Sequence, residues 1–233
     1  MSRHMDSAFK LFAFFILLGI TSCCAIGREQ TTTETVINKR GENLFLLGNF
    51  DNFTLDAVVK KLEKSPEITR IVFTANGGSN DDSATLKLGR FIWQEKLDTH
   101  VLEGGVIASG GVSLFLPGVK RSIGKNVYIG VHSWQHCSGS GVLNCKSAKD
   151  FAHTDPAHRL HNDYIKEMLS TDSFYWFSIN AAPQNSIHWL SSSEIQSFKL
   201  VNHSINENLE IPFPRAFQNE YENVCHNCPM KNR

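Results

Sequence analysis

Apolar residues follow two different spacings along this chain, and segments of the two kinds succeed one another. Short apolar runs of strand length alternate with longer segments in which apolar residues recur at helical spacing. The predicted strands are residues 44–47, 68–74, 100–102 and 127–131. The predicted helices are residues 55–62, with Thr54 as N-cap, 82–96 and 110–116. This alternation predicts an α/β fold with right-handed crossovers and a mostly parallel sheet.

Beyond residue 150 the pattern is less regular. Residues 156–182 have helical spacing, and Ser191 and Glu194 have the spacing of a capping box in front of another short helix. Leu200 and Val201 predict a last strand. The segment 206–233 carries prolines and little periodicity, so we expect it to wrap the surface as a tail. With no internal repeat in the sequence, we predict a single folded domain over residues 42–205.

The N-terminal segment has the features of an export signal. Arg3 and Lys10 precede an apolar run over 11–20 that is too short to cross a bilayer as a helix. The sequence Ile20-Thr21-Ser22-Cys23 is similar to a bacterial lipobox, in which the cysteine becomes lipidated. Ordinary cleavage after Ala25 is the alternative. We therefore predict a signal peptide over 1–22, a lipid anchor on Cys23, a polar tether over 23–41 and a periplasmic, membrane-anchored protein.

The charges of the chain favour no polyanionic partner. Lys and Arg together number 23, and Asp and Glu also number 23. A balanced chain without a basic cluster has no long-range field to attract nucleic acid or an anionic membrane surface. Nucleic acid is therefore not expected as a partner, and contact with a membrane is expected only through the lipid anchor.

Four cysteines beyond the processing site predict disulfides, because an exported chain meets an oxidising compartment. Local pairing is the simplest arrangement: Cys137 with Cys145, and Cys225 with Cys228. A zinc site built from the same four cysteines is the alternative, although their spacing is poor for metal binding. His158 and His161 share a predicted helix face but lack a third ligand, so we interpret them as solvent-exposed. No metal ion or cofactor is expected.

Candidate chemistry follows three of the predicted strands. Gly77 and Gly78 come after the second strand, Ser109 and Gly110 lie at a strand-to-helix junction, and His132 ends the fourth strand. In open α/β sheets, sites form beyond the carboxyl ends of the strands, so these features should meet. Ser109 would be the nucleophile and His132 its base. The glycine amides would stabilise an oxyanion, because no Cβ obstructs them.

The same motifs carry a family resemblance. Asn76-Gly77-Gly78, Ala108-Ser109-Gly110-Gly111, Leu114-Phe115-Leu116-Pro117-Gly118 with Arg121, and Val131-His132 resemble the ClpP-like serine peptidases of the ClpP/crotonase superfamily. The exported bacterial branch of that family is the most similar. The resemblance covers residues 42–202, and it implies stacked ββα units, a serine peptidase acting on peptides or proteins, and assembly into homo-oligomers. Ile107 and Gly111 stand where that branch has two cysteines, so its local disulfide is not expected.

The chain departs from the family pattern at the acidic member of the triad. That residue should fall near 185–188, where this chain has no carboxylate. Asn185 could orient the imidazole in its place, as an amide does in some cysteine proteases. Asp155 or Asp163 could substitute from the predicted helix, or Ser109 and His132 could act as a dyad.

Other functions stay open on the sequence alone. The missing acid favours a catalytically silent or ligand-binding member of the fold. The Gly105–Gly111 segment also resembles the oxyanion segment of crotonase-type acyl-thioester enzymes, but coenzyme A substrates are cytosolic. Lys120 and Lys125 are candidate bases for a Ser-Lys peptidase, which is a further alternative. His132 fits its expected position better than either lysine fits that of a base. The leading hypothesis is an exported ClpP-like serine hydrolase, most simply a peptidase.

Overall fold

The computed structural model describes residues 35–138, 144–205, 207, 209–212, 214–225 and 228–229. Within them the main element is a seven-stranded mixed sheet in the order β1-β2-β3-β4-β6-β9, with β5 paired to the first half of β4. Its strands are β1 (Val36–Arg40), β2 (Asn43–Leu47), β3 (Arg70–Asn76), β4 (Asp98–Ala108), β5 (Arg121–Ile123), β6 (Tyr128–Val131) and β9 (His188–Trp189). The predicted signal peptide and Cys23 lie outside the described residues.

The central strands run parallel, and only the two edge strands β1 and β9 are antiparallel to their neighbours. β2, β3 and β4 are buried on both faces, which explains why they read as continuous apolar runs rather than as alternating ones. The predicted α/β fold with a mostly parallel sheet is confirmed.

Helices cover both faces of this sheet. They are α1 (Asn52–Glu63), α2 (Asp82–Gln94), α3 (Gly110–Phe115), α4 (Arg159–Leu169), α5 (Ser173–Ala181), α6 (Ser192–Ser197) and α7 (Pro214–Val224). The main core lies between one sheet face and α1 to α5, with Phe73, Ile107 and Phe115 fully buried. On the other face, Ala75 and Val106 are covered by α7.

Local sequence explains where several helices begin and end. Asp51, not Thr54, caps α1: Thr54 is the third helical residue, and its hydroxyl completes a capping box with Asp51. The predicted helical region 156–182 is divided in two, because Ser170 adopts a left-handed conformation that ends α4. The capping box predicted at Ser191 and Glu194 is confirmed at the start of α6.

Three sequence predictions were wrong about the ends of the domain. Residues 36–40, assigned to the polar tether, form β1, because Val36–Arg40 pairs in full register with β2. The segment 206–233 is not only a surface tail: Phe217, Tyr221 and Val224 recur at helical spacing and pack α7 against the sheet. Leu200 and Val201 form no strand; Leu200 is buried in the main core instead.

Both predicted disulfides form. Cys137 and Cys145 join β7 (Gln135–Cys137) to β8 (Cys145–Ser147) in a two-stranded hairpin, and Cys225 and Cys228 close a short loop after α7. The local pairing is therefore confirmed, and a zinc site built from these four cysteines is wrong. Disulfides fit the predicted export. In the part of the chain that the structure describes, no helix is both long and apolar enough to cross a membrane.

Candidate functional site

Ser109 lies at the junction of β4 and α3, in a backbone conformation that serine rarely adopts. Its φ is 52° and its ψ is −118°. A non-glycine residue in this region costs on the order of 1–3 kcal/mol, and such conformations persist where the surroundings enforce them. The Ser109 amide donates to Gly130 O on β6 at 3.1 Å, which ties the junction to the sheet. The sharp turn exposes the hydroxyl at the strand end, and the Ser109 side chain makes no helix-capping bond.

Gly77 and Gly78, both candidates for assisting Ser109, have different neighbours in the structure. A Cβ on Gly78 would lie 3.5 Å from Ser109 Cβ and 3.8 Å from Ser109 Oγ. A Cβ on Gly77 would instead lie 3.0 Å from Val224 of α7 and 3.1 Å from Asn49. Gly78 therefore faces the serine, whereas Gly77 faces the helix behind the loop.

Two glycine amides near Ser109 have no hydrogen-bond acceptor among the described residues. Within the described residues, neither Gly78 N–H nor Gly110 N–H donates a hydrogen bond to the protein. Gly110 is the first residue of α3, where backbone amides have no intrahelical acceptor. The two glycines are packed closely, since a Cβ on Gly110 would lie 2.5 Å from Ser79 Cβ and 3.1 Å from the Gly78 carbonyl carbon. Both amides therefore lie beside the serine.

His132 directly follows β6, and its ring is oriented by the backbone. His132 Nδ1 lies 2.9 Å from Ser133 O. A carbonyl oxygen only accepts, so the ring donates from Nδ1, which leaves Nε2 of the neutral ring as an acceptor. This is the tautomer that a general base needs.

A carbonyl thus occupies the place where a catalytic acid would orient the histidine. Ser133 is itself fixed, because its amide donates to Ala182 O at 2.8 Å and its hydroxyl lies 2.8 Å from Ser147 Oγ of the disulfide-linked hairpin. The residues suggested for this role lie elsewhere. Asn185 is exposed in the loop before β9, Asp155 caps the turn that precedes α4, and Asp163 is exposed on α4.

Ser109 and His132 line one cavity of about 90 Å³. Within the described residues no hydrogen bond joins their two side chains. The apolar part of the wall comes from Leu86, Val112, Val131, Ile165, Phe174 and Ile179. A loose serine–histidine approach is common in proteins without bound substrate.

Sequence reasoning did not place Asp82 or His161 in this cavity. His161 Nε2 on α4 lies 3.4 Å from Asp82 Oδ2 at the start of α2. The nearby His161 ring, and to a lesser degree Ser79, favour the charged form of Asp82 and hold its pKa below the usual value, although partial burial acts in the opposite direction. Asp82 follows the helix cap Asp81, so the sequence offered only an acidic pair at a helix start, which is typical of helix capping.

The interpretation of His158 as solvent-exposed was wrong, because only 2 % of its surface is accessible. His158 Nδ1 lies 2.6 Å from the Tyr175 hydroxyl, which also accepts from Trp134 Nε1 at 3.0 Å. Aromatic rings surround the imidazole, with Trp176 centred 4.8 Å away. His161 is partly buried and stacks on Trp134. Among the described residues, no three histidine, cysteine or acidic side chains are grouped to hold a metal ion.

Lys120 and Lys125, the alternative bases, are not among the residues that line this cavity, whereas His132 is.

Comparison with protein-family models gives no match, and comparison with curated proteins likewise gives none.

Proposed function

We propose that this protein is an exported serine hydrolase, and most simply a peptidase of the ClpP-like type, with Ser109 as nucleophile and His132 as base. The observation that carries the proposal is the backbone of Ser109, at φ 52° and ψ −118°. A strained strand-to-helix turn presents a nucleophile while aiming the following amide at the same point.

The proposed reaction is acyl transfer. His132 Nε2 takes the proton of Ser109 Oγ as the oxygen attacks the substrate carbonyl. Gly78 N–H and Gly110 N–H donate to the oxyanion that develops, and each such donor contributes about 10²–10³-fold in rate. The leaving group departs with a proton, and water then hydrolyses the acyl-serine by the reverse order of proton transfers.

A backbone carbonyl behind His132 changes the strength of the base. Ser133 O fixes the tautomer and orientation of the ring, as a carboxylate would. A neutral carbonyl stabilises the imidazolium less than a carboxylate does, because it lacks the full negative charge. We therefore expect slow turnover, with reactivity toward good acyl donors.

The test is covalent labelling with a fluorophosphonate probe. The wild-type protein should be labelled, and Ser109→Ala should lose the label entirely. Ser113→Ala is a matched control, because Ser113 lines the same cavity one turn further along α3 and should keep full labelling. His132→Gln should slow labelling at least about 10²-fold, the usual contribution of a general base.

The contrary results are equally clear. A label that survives Ser109→Ala, or a folded wild-type protein that takes up no label, would refute the serine hydrolase. The second result would favour a catalytically silent protein of this fold. Circular dichroism on each variant confirms that loss of labelling is not loss of folding.

A further inference from the structure

A second imidazole besides that of His132 lines the cavity. His161 lies on α4, and its Nε2 faces the Asp82 carboxylate at 3.4 Å. Ser109, His132, Asp82 and His161 all line the same cavity. The site therefore holds two histidines, of which one is oriented by a carbonyl and the other by a carboxylate.

His161 has a free nitrogen directed away from its carboxylate partner. Nε2 is engaged with Asp82, and within the described residues Nδ1 makes no hydrogen bond. The ring stacks on Trp134 at 6.2 Å between centroids, with 21° between the planes. About a fifth of the His161 side chain is exposed, so the ring is held in place and still reachable.

Asp82 is suited to support a charged imidazole. Asp81 caps α2, which leaves the Asp82 carboxylate available to His161 and Ser79. The pKa of Asp82 is lowered from its usual value, because His161 at 3.4 Å and Ser79 favour the charged carboxylate. His132 makes a smaller contribution of the same sign to the lowered pKa of Asp82.

We propose that His161, paired with Asp82, is a second catalytic residue that transfers protons to and from the leaving group and water, while His132 serves Ser109. The proposal rests on the proposed serine hydrolase. In this proposal the Asp82 carboxylate supports the histidine that protonates the leaving group. Expulsion of a poor leaving group is the step that depends most on an acid.

The proton transfers balance over one cycle. In acylation the Ser109 Oγ–carbonyl bond forms, the serine proton moves to His132 Nε2, and the bond to the leaving group breaks as His161 Nδ1–H protonates it. His132 is then charged and His161 neutral. In deacylation water gives its proton to His161 Nδ1 and attacks the acyl carbon, and His132 Nε2–H protonates the departing Ser109 Oγ. Both histidines return to their starting states, and the net reaction is hydrolysis.

The test varies the leaving group and holds the acyl group constant. His161→Phe removes both nitrogens and keeps a ring to stack on Trp134. His153→Phe is the matched control, since His153 stacks on Trp176 and is not among the cavity residues. Each protein is assayed with a p-nitrophenyl ester, an alkyl ester and an anilide of the same acid. Nitrophenolate leaves without a proton, whereas alkoxide and anilide do not.

For His161→Phe, kcat/KM for the alkyl ester and the anilide should fall at least 100-fold, while kcat/KM for the nitrophenyl ester changes less than threefold. Nitrophenol should still appear in a full burst, followed by slower steady turnover, because deacylation needs the proton acceptor. Asp82→Asn should show the same leaving-group dependence with a smaller loss, and His153→Phe should match the wild type.

Other outcomes are separable. Suppose that fluorophosphonate labels Ser109 but that His161→Phe lowers kcat/KM equally for all three substrates, or for none of them. The second proton-transfer role is then wrong, and the serine hydrolase stands. If Ser109 takes no label and no substrate is turned over, both proposals fall together.

Discussion

The two walls of the cavity are built on different principles. The wall that carries Ser109 and His132 is formed by strand ends, and its geometry is fixed by backbone contacts and by glycines that leave no room for a side chain. The wall that carries His161 is formed by α4 and α5, and its geometry is fixed by side chains packed on one another. The first wall should resist small shifts and fail abruptly, whereas the second should yield gradually.

The difference also bears on the function proposed above, acyl transfer at Ser109. Acyl transfer needs the nucleophile and the oxyanion donors held to a fraction of an ångström, and backbone placement supplies that precision. A group that exchanges protons with a leaving group and with water must reach two partners. The His161 ring, positioned by stacking on Trp134 and by one carboxylate, is partly exposed and therefore reachable for such partners.

The largest effect is expected from a methyl group added to the sheet wall. In Gly110→Ala the new Cβ would meet the backbone nitrogen of Ser79 at 2.9 Å as well as its Cβ, and backbone cannot rotate away. We expect a loss of about 3 kcal/mol in the free energy of unfolding, the upper end for overpacking. Urea denaturation measures it, with Ser113→Ala on the same helix as control. A loss below 1 kcal/mol would mean that this wall is as compliant as the other.

Acid should weaken the sheet behind that wall. Burial, and to a lesser degree the positive charge of Arg70, lower the pKa of His100 on β4 to about 4, while Glu207 acts in the opposite direction. The unfolded chain binds this proton at higher pH than the folded one, so stability is complete above pH 6.5 and is lost as pH falls toward 4. The loss should approach about 3 kcal/mol for this shift. His100→Gln should make the free energy of unfolding less dependent on pH over that range. An unchanged slope against pH would contradict the attribution of this effect to His100.

A methyl group added behind the helical wall should cost less. A Cβ on Gly89 of α2 would overlap the hydroxyl end of Tyr164, which donates to Ser113 O at 2.7 Å. Because the obstacle is the end of a side chain, we expect Gly89→Ala to cost about 2 kcal/mol. In a Tyr164→Leu background the same substitution should cost under half as much, by urea denaturation. Additive losses would show that α2 and α4 do not meet through this ring.

The smallest effect should come from one oxygen in the helical wall. Tyr175→Phe removes the acceptor of Trp134 Nε1 and the partner of His158 Nδ1. Burial raises the pKa of Tyr175 to about 12, so the hydroxyl stays protonated and serves as donor and acceptor together. Thermal unfolding should show a loss of about 1–2 kcal/mol, the cost of leaving buried groups unpaired. Tyr128→Phe, whose hydroxyl donates to Pro229 O near the surface, should lose less.

The sequence located the sheet wall and not the helical one, for a physical reason. Ser109, Gly78 and His132 each stand at the end of an apolar run, and strand order alone brings such ends to one edge. His161 and Asp82 meet only through the packing of α4 against α2, and neither residue type nor spacing reveals that contact. The helix α7 could have been found, since Phe217, Tyr221 and Val224 repeat at helical spacing. The orientation of His132 by Ser133 O could not have been predicted, because every residue has a backbone carbonyl and the sequence does not show which one a side chain contacts.

The position of α7 has a consequence for when the site is completed. Val224 lies against Gly77, so α7 supports the loop that carries Gly78 beside Ser109. Ribosomes make α7 after every residue that lines the cavity, and a chain in transit holds Ser109, His132 and His161 before this support exists. A protease that cuts ahead of Pro214 would likewise remove the support and spare all the cavity side chains. Maturation and decay of the candidate site would both be governed by a helix that contributes no residue to the cavity lining.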